Sequence, residues 1–161
     1  MNRGKYESEC PHERKELKLT VVTRYALFFV IGAVILLAAT GNLFSSSVIV
    51  IAAQLLAAVI AIWARRSFPT KTFRVDAIPS AETVIRRGPY RLIRHPMYSA
   101  ALLFIWAAVL SHLSLWTTTI GAVVTIITTL RVAFEERFLR DRYPQYAAYA
   151  QATKAIVPYL F

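Results

Sequence analysis

The sequence has 161 residues, of which 57% are hydrophobic and only 17% charged, with a formal net charge of +10. Its length suits one domain, but soluble globular proteins carry about 25% charged residues. Together with the long apolar stretches described below, this makes a membrane surface, not a nucleic acid, the expected partner of the positive charge. One cysteine, Cys10, excludes an internal disulfide and a cysteine-rich metal site, and no metal is predicted.

Residues 1–18 mix acidic and basic side chains. They lack the apolar core and the small-residue cleavage site of a signal peptide, so none is predicted. The segment is interpreted as a cytosolic tail.

A first hairpin is predicted at 20–64. No charged residue occurs between Tyr25 and Ala64, and this stretch is too long for one span because about 20 helical residues cross a bilayer core. Gly41-Asn42 and the serines that follow interrupt it. We therefore predict two transmembrane helices, at about 20–40 and 46–64.

The connector 65–95 is polar and basic, and its last part has the highest concentration of candidate functional side chains in the chain. Gly88-Pro89 predicts a tight turn, and Pro96 suits the first position of a new helix. Arg94 and His95 would then lie at a helix N-terminus, which favours an anion such as a carboxylate or phosphate. Arg86-Arg87 could equally be anchors that fix the membrane topology.

A second hairpin is predicted at 97–130, which contains 34 residues without an acidic or basic residue other than His112. Ser111 to Ser114 mark its turn, and His112 is interpreted as a turn residue. Each half spans only roughly 22 Å of helix, against about 30 Å for the bilayer core. Flanking residues or local thinning must make up the difference.

The charge distribution sets the orientation. The turns at 41–47 and 111–114 contain no Lys or Arg, so the positive-inside rule places both termini and the basic connector in the cytosol. The sequence thus predicts an all-α polytopic membrane protein, one domain over 1–161. It has four transmembrane helices in two hairpins and a cytosolic C-terminal helical segment, and we expect it in a bacterial inner (cytoplasmic) membrane.

The C-terminal segment 131–161 returns abruptly to polar residues. Arg131 and Glu135 stand one helical turn apart and can pair. Glu135-Glu136 is predicted at about the membrane depth of Arg94-His95, where carboxylates are costly unless partnered, so the pair is a candidate for function. A local ion pair with nearby arginines is the alternative. Further on, the tyrosines at 146 and 149 suit an interfacial segment lying against lipid headgroups.

These motifs resemble a known family. The pieces are Gly88-Pro89-Tyr90, Arg94-His95-Pro96-Met97-Tyr98, the uncharged hairpin and Glu135-Glu136. Their order is similar to that in the integral-membrane isoprenylcysteine carboxyl methyltransferases and phospholipid methyltransferases, over about residues 60–160. Ala100 stands where the family often has glycine, and Tyr143-Pro144 where it usually has Phe-Gly, so acceptor specificity is not predicted.

The resemblance implies S-adenosylmethionine bound at the cytosolic face, under the C-terminal segment. It implies cofactor contacts at 83–85, at Tyr90 and at 95–98, and roles at the cofactor and the substrate entrance for Arg131 and the glutamate pair.

Cofactor chemistry agrees with these roles. Arg94 and His95 suit the carboxylate, a glutamate suits the ammonium or the ribose hydroxyls, and Tyr90 and Tyr98 suit the sulfonium or adenine. The predicted cofactor-binding residues are Thr83, Val84, Ile85, Tyr90, Arg94, His95, Pro96, Met97, Tyr98, Glu135 and Glu136, and the predicted catalytic residues are Arg131 and Glu136.

The predicted function is therefore adenosylmethionine-dependent methyl transfer to a lipidic or small apolar acceptor. Two alternatives stay open. One is an NADPH-dependent membrane reductase of the sterol and steroid type, a class whose members are usually longer. The other is a non-catalytic membrane protein that binds anionic lipid.

Overall fold

The computed structural model describes residues 11–67 and 86–156, with side chains from residue 25 onward. Over this part of the chain it is all-helical, which confirms the predicted fold class at that level. The helices are α1 (Pro11–Ala39), α2 (Val48–Arg66), α3 (Pro96–Ser111), α4 (Leu115–Arg142) and α5 (Tyr146–Ala152), with one 3-10 turn at Gly88–Arg91.

Local chemistry explains where α3 and α4 begin. Pro96 is the first residue of α3, as predicted, because its ring fixes a helical φ and its missing N–H is not needed there. Ser114 precedes α4 and accepts a hydrogen bond from the backbone N–H of Thr117, while the Thr117 hydroxyl accepts one from the Ser114 N–H, both at 3.1 Å. This reciprocal cap satisfies backbone donors that the helix cannot pair itself.

Two helices extend beyond the predicted apolar spans. Residues 11–18, predicted as part of the tail, are the first turns of α1. α4 continues without a break through the change of polarity at Arg131 and ends at Arg142. Residues 131–142 are rich in helix formers and in charged pairs four apart, so the helix persists although the surroundings change. The glutamate pair is therefore held on the same rigid element as the apolar part of α4.

Within the described ranges two helices, α2 and α4, are long and apolar enough to cross a membrane, whereas the apolar stretch Tyr25–Ala39 and helix α3 are shorter. Large apolar side chains point outward along the bundle, including Phe28, Ile35, Ile49, Leu55, Val59 and Ile126. So extensive an apolar surface is the kind that faces lipid or a partner and not water. Four spans in two hairpins remain a prediction.

The helices pack across the predicted hairpins. α2 makes its most extensive contact with α3, and α1 packs on α4 and, less extensively, on α3. The core lies between α1, α3 and α4, around Leu37, Ile105, Val109 and Val124. Buried Gln54 on α2 donates a hydrogen bond of 2.7 Å to the carbonyl of Leu43, which ties α2 to the turn after α1. This arrangement brings the start of α3 beside the polar end of α4.

Candidate functional site

The site forms where the N-terminal end of α3 meets the polar end of α4. Arg94 Nε donates to Glu136 Oε1 at 2.6 Å, and the Tyr98 hydroxyl donates to Glu135 Oε1 at 2.5 Å. These partners are 42 and 37 residues apart in sequence. The structure thus brings the basic motif and the glutamate pair together, at the end of the helices that carries most of the basic residues.

Glu135 is the centre of one half of the site. Besides Tyr98, its Oε1 accepts a hydrogen bond of 3.0 Å from Arg131 Nε, one helical turn earlier, as predicted. The Arg131 guanidinium also lies over the Tyr98 ring, 4.8 Å from its centroid, which suits a cation–π contact. These contacts between Tyr98, Arg131 and Glu135 fix the orientations of the three side chains without a ligand.

Glu136 is the centre of the other half. Its Oε1 pairs with Arg94, and its Oε2 accepts a hydrogen bond of 3.1 Å from Arg140. Burial alone would raise the pKa of this carboxyl, but His95 and Arg94 beside it outweigh burial and lower the pKa to about 2. Glu136 is therefore a carboxylate at neutral pH, and both of its oxygens are occupied.

His95 stands between the two glutamates. Its Nδ1 is 3.6 Å from Glu135 Oε2 and its Nε2 is 3.5 Å from Glu136 Oε1, which is long for a hydrogen bond. The ring stacks on Tyr98 with centroids 5.5 Å apart. Although buried, Nε2 has no hydrogen-bond partner among the residues described. A buried polar atom without a hydrogen bond is costly, and the acceptor that approaches this nitrogen is Glu136 Oε1.

Tyr146 carries a second buried polar atom of this kind, because its hydroxyl also finds no partner within the described part of the chain. Burial, with the nearby charge of Glu136, raises the pKa of Tyr146. Tyr146 and Tyr149 were expected to lie against lipid headgroups, but their side chains are buried inside the protein. They are only 2% and 4% exposed, because α5 folds back against the motif.

Tyr90 lies in the 3-10 turn that takes the place of the predicted tight turn, and it is buried. Its carbonyl accepts a hydrogen bond of 2.7 Å from the Tyr149 hydroxyl. Burial raises the pKa of Tyr149 to about 12. Pro96 is buried and Met97 half-buried at the start of α3.

Three predicted cofactor contacts, Thr83, Val84 and Ile85, lie outside the described residues. Within the described ranges no group of three His, Cys, Asp or Glu side chains could hold a metal ion.

The resemblance implied that residues 131–161 cover the cofactor, but sequence reasoning missed the contacts that residues 146–156 make with the motif. The name C-terminal segment is now restricted to residues 146–156. Arg94 donates to the carbonyls of Ala150, at 2.7 Å, and Thr153, and the Ser99 hydroxyl donates to the carbonyl of Ile156. The only sequence signal was the pair of tyrosines at 146 and 149, which gives no partner for any of these groups.

Gly88 explains the shape of the turn before the motif. Its φ is +58°, and a Cβ at this position would lie 2.1 Å from Ser67 Oγ at the end of α2. Because Ser67 donates a hydrogen bond of 2.9 Å to the Trp63 carbonyl, its hydroxyl is not free to move away without loss. Only glycine fits here without strain.

Gly88→Ala should therefore destabilise the protein by about 1–3 kcal/mol, the range for a residue held in a disfavoured backbone conformation. Gly32→Ala is the control, since Gly32 lies inside α1 and, apart from its own helix backbone, no atom of the described residues comes within 4 Å of the added Cβ. That variant should be as stable as the wild type or slightly more so. Unfolding midpoints in detergent measure both, and equal midpoints for the two variants would contradict the argument.

Fold and site together define a class of protein. It is an all-helical membrane protein with a buried cluster of arginines, glutamates, a histidine and tyrosines at one end of its bundle. The family model for phospholipid methyltransferase matches residues 43–146, more than half of the chain. The chain therefore belongs to the phospholipid methyltransferase family, as the motifs predicted. It is thereby a member of a family of membrane methyltransferases.

The chain is also similar to the cobalt-zinc-cadmium resistance protein CzcN of Cupriavidus metallidurans. The two are 36% identical over 86 residues, which cover 48% of this chain and 37% of that protein. The chain thus matches well under half the length of this relative. No solved structure matches the chain.

Proposed function

We propose that the protein transfers a methyl group from S-adenosylmethionine to a lipidic or small apolar acceptor at the cytosolic face of the membrane. The observation that carries this proposal is the juxtaposition of His95 and Tyr98 with Arg131 and Glu135 in one buried cluster. A zwitterionic ligand with a sulfonium centre needs cations, a carboxylate and aromatic faces together, and family membership gives the reaction class.

His95 is the residue best suited to the cofactor's carboxylate. Its Nε2 is buried without a hydrogen-bond partner in the described ranges, and it precedes the first turn of α3. Pro96 has no N–H, and the N–H groups of His95 and Tyr98 donate within the chain, so the dipole of α3 is what adds to the attraction for an anion. Arg94 was the other predicted carboxylate ligand, but its Nε and one terminal nitrogen already donate to groups of the chain.

Glu135 is the glutamate better suited to the cofactor's ammonium or ribose hydroxyls. Its Oε1 accepts two hydrogen bonds, but among the residues that the structure describes its Oε2 has only the long approach of His95 Nδ1 at 3.6 Å. Both oxygens of Glu136, in contrast, are paired with arginines. The rings of Tyr90 and Tyr98 suit the sulfonium or the adenine, and Thr83 to Ile85 are proposed to complete the pocket.

The bound cofactor supplies the activated methyl group, and the chain aligns the acceptor with it. In-line displacement at carbon depends on orientation and exclusion of water, which can lower a barrier by about 7–11 kcal/mol. Arg131, fixed against Tyr98 and Glu135, is proposed to orient the acceptor. A carboxylate acceptor needs no base, whereas an amine or thiol does.

Glu136 was predicted to act in catalysis, together with Arg131. A carboxylate whose pKa is lowered to about 2 is a poor proton acceptor at neutral pH. We therefore propose that Glu136 acts by holding its partners in place and not as a base.

The cytosolic location and the four-span topology belong to the same proposal. Exposed arginines ring the site end of the bundle, namely Arg65, Arg66, Arg86, Arg87, Arg91 and Arg137, and the turns at the other end carry no Lys or Arg. The positive-inside rule then places the site in the cytosol, at the depth where a lipidic acceptor enters laterally. A bacterial inner membrane is the proposed location. Prenylcysteine, an amino-phospholipid headgroup, a fatty acid and a small thiol are all acceptors of suitable chemistry.

The test uses detergent-purified protein and adenosylmethionine labelled in its methyl group, incubated with a lipid and small-molecule extract. We expect label in one extractable product, and calorimetry should show binding of adenosylmethionine but not of NADPH. Binding of NADPH alone would favour the reductase, and binding of neither would favour a lipid-binding protein. Either result overturns the proposal.

A further inference from the structure

We propose that Arg94 is a positioning residue that fastens the C-terminal segment over the site, and that it is not a ligand of the cofactor. The inference rests on the proposed function, because it assigns the two cations of the motif to different tasks. His95 is assigned to the ligand, and Arg94 is assigned to the attachment of the C-terminal segment.

The guanidinium of Arg94 donates hydrogen bonds to two different parts of the structure. Nε donates to Glu136 on α4 at 2.6 Å, while one terminal nitrogen donates to the carbonyls of Ala150, at 2.7 Å, and Thr153. These carbonyls lie at the C-terminal end of α5, where the helix leaves acceptors without internal partners. Arg94 thus joins three elements: the motif loop, α4 and the C-terminal segment.

The backbone around Arg94 adds to this attachment. Its N–H donates to the carbonyl of Lys154 at 2.7 Å, the His95 N–H donates to Ala155 at 3.0 Å, and the Lys154 N–H donates to Leu92 at 3.1 Å. Residues 93 and 154 form an isolated parallel bridge. Because His95 takes part, the attachment of the segment also fixes the backbone of the residue proposed to contact the ligand.

A carboxylate ligand on Arg94 would have to break these contacts. The side chain of Arg94 is only 9% exposed, and withdrawing it would leave buried Glu136 and two backbone carbonyls with fewer donors, which is costly. The contacts also require arginine. Lysine offers a point charge on a flexible stem and cannot hold a carboxylate and two carbonyls in the same fixed geometry.

The test compares Arg94→Lys and Arg94→Gln with wild type. Arg137→Lys is the matched control, since Arg137 is an exposed arginine on α4, next to Glu136 in sequence. Amide hydrogen exchange is measured without cofactor over 92–95 and 150–156, and adenosylmethionine affinity by calorimetry. Both Arg94 variants should exchange at least tenfold faster in both stretches and bind the cofactor about three- to tenfold more weakly. The control should match wild type in both measurements.

Two results would overturn the proposal. Unchanged exchange with weakened affinity would make Arg94 a direct ligand, and faster exchange with unchanged affinity would make the attachment irrelevant to the site. Arg94→Lys keeps the charge and guards against a variant that merely fails to fold. If wild type binds no adenosylmethionine, the proposed function fails, and the exchange measurement still decides whether Arg94 fastens the segment.

Discussion

Replacement of His95 by alanine is expected to weaken adenosylmethionine binding at least tenfold, a change of about 1.4 kcal/mol. The imidazole lies 3.6 Å and 3.5 Å from the two glutamates, and its buried Nε2 has no hydrogen-bond partner within the described residues. Alanine removes the donor that would meet the cofactor's carboxylate. It also removes the ring that stacks on Tyr98, so both the charge and the shape of the site change.

Calorimetry on detergent-purified protein measures this effect, with His112→Ala as the control. His112 ends α3 at the opposite end of the bundle, where its ring nitrogen contacts the Ser111 hydroxyl at 2.8 Å. That variant should bind adenosylmethionine with wild-type affinity. An unchanged affinity in a folded His95→Ala protein would remove His95 from the proposed site.

Arg131→Met is expected to cost about 3 kcal/mol in the free energy of unfolding, the lower end of the range for breaking a buried ion pair. Arg131 and Glu135 are 9% and 8% exposed, so the substitution leaves a carboxylate buried without its cation. The cost stays at the lower end because the Tyr98 hydroxyl still donates to Glu135. Loss of the guanidinium over the Tyr98 ring adds to it.

Arg140→Met is the control, because it removes another i,i+4 arginine–glutamate pair on α4. The Arg140 side chain is 58% exposed, so its loss should cost less than about 1 kcal/mol. Equal losses for Arg131→Met and Arg140→Met, measured by unfolding in mixed micelles, would mean that burial does not set the strength of these pairs.

A double-mutant cycle with Arg131→Met and Glu135→Gln separates the structural role from ligand contact. A mere ion pair gives coupling in stability and none in cofactor affinity. We expect coupling in both stability and cofactor affinity, because Glu135 is proposed to contact the cofactor and Arg131 fixes the orientation of Glu135. Absence of coupling in affinity would contradict that role for Glu135.

Several features of the site could be predicted from sequence because their causes are local. Pro96 marks the start of α3 through its own ring geometry, and the structure confirms it. Arg131 and Glu135 pair because residues four apart share a helix face, and they do so at 3.0 Å. The meeting of the glutamate pair with Arg94 and His95 followed from topology, which set both at the same end of the bundle.

Other features have no local signature. Arg94 binds the carbonyls of Ala150 and Thr153, and every residue carries such a carbonyl, so no pattern of side chains could single out these two. Tyrosine is amphipathic, which favours a membrane interface for a residue such as Tyr146. Whether α5 lies on the bilayer or folds back on the motif depends on contacts distant in sequence.

The hydrogen bonds between residues 92–95 and 154–155 set an order on biosynthesis. Elements generally form as the chain emerges from the ribosome, N-terminal parts first, so the apolar helices can enter the membrane while the motif still lacks its partners. The backbone N–H groups of Arg94 and His95 then bond to water until residue 155 has been translated and has reached them. The attachment of the C-terminal segment is therefore among the last contacts of the described residues to form.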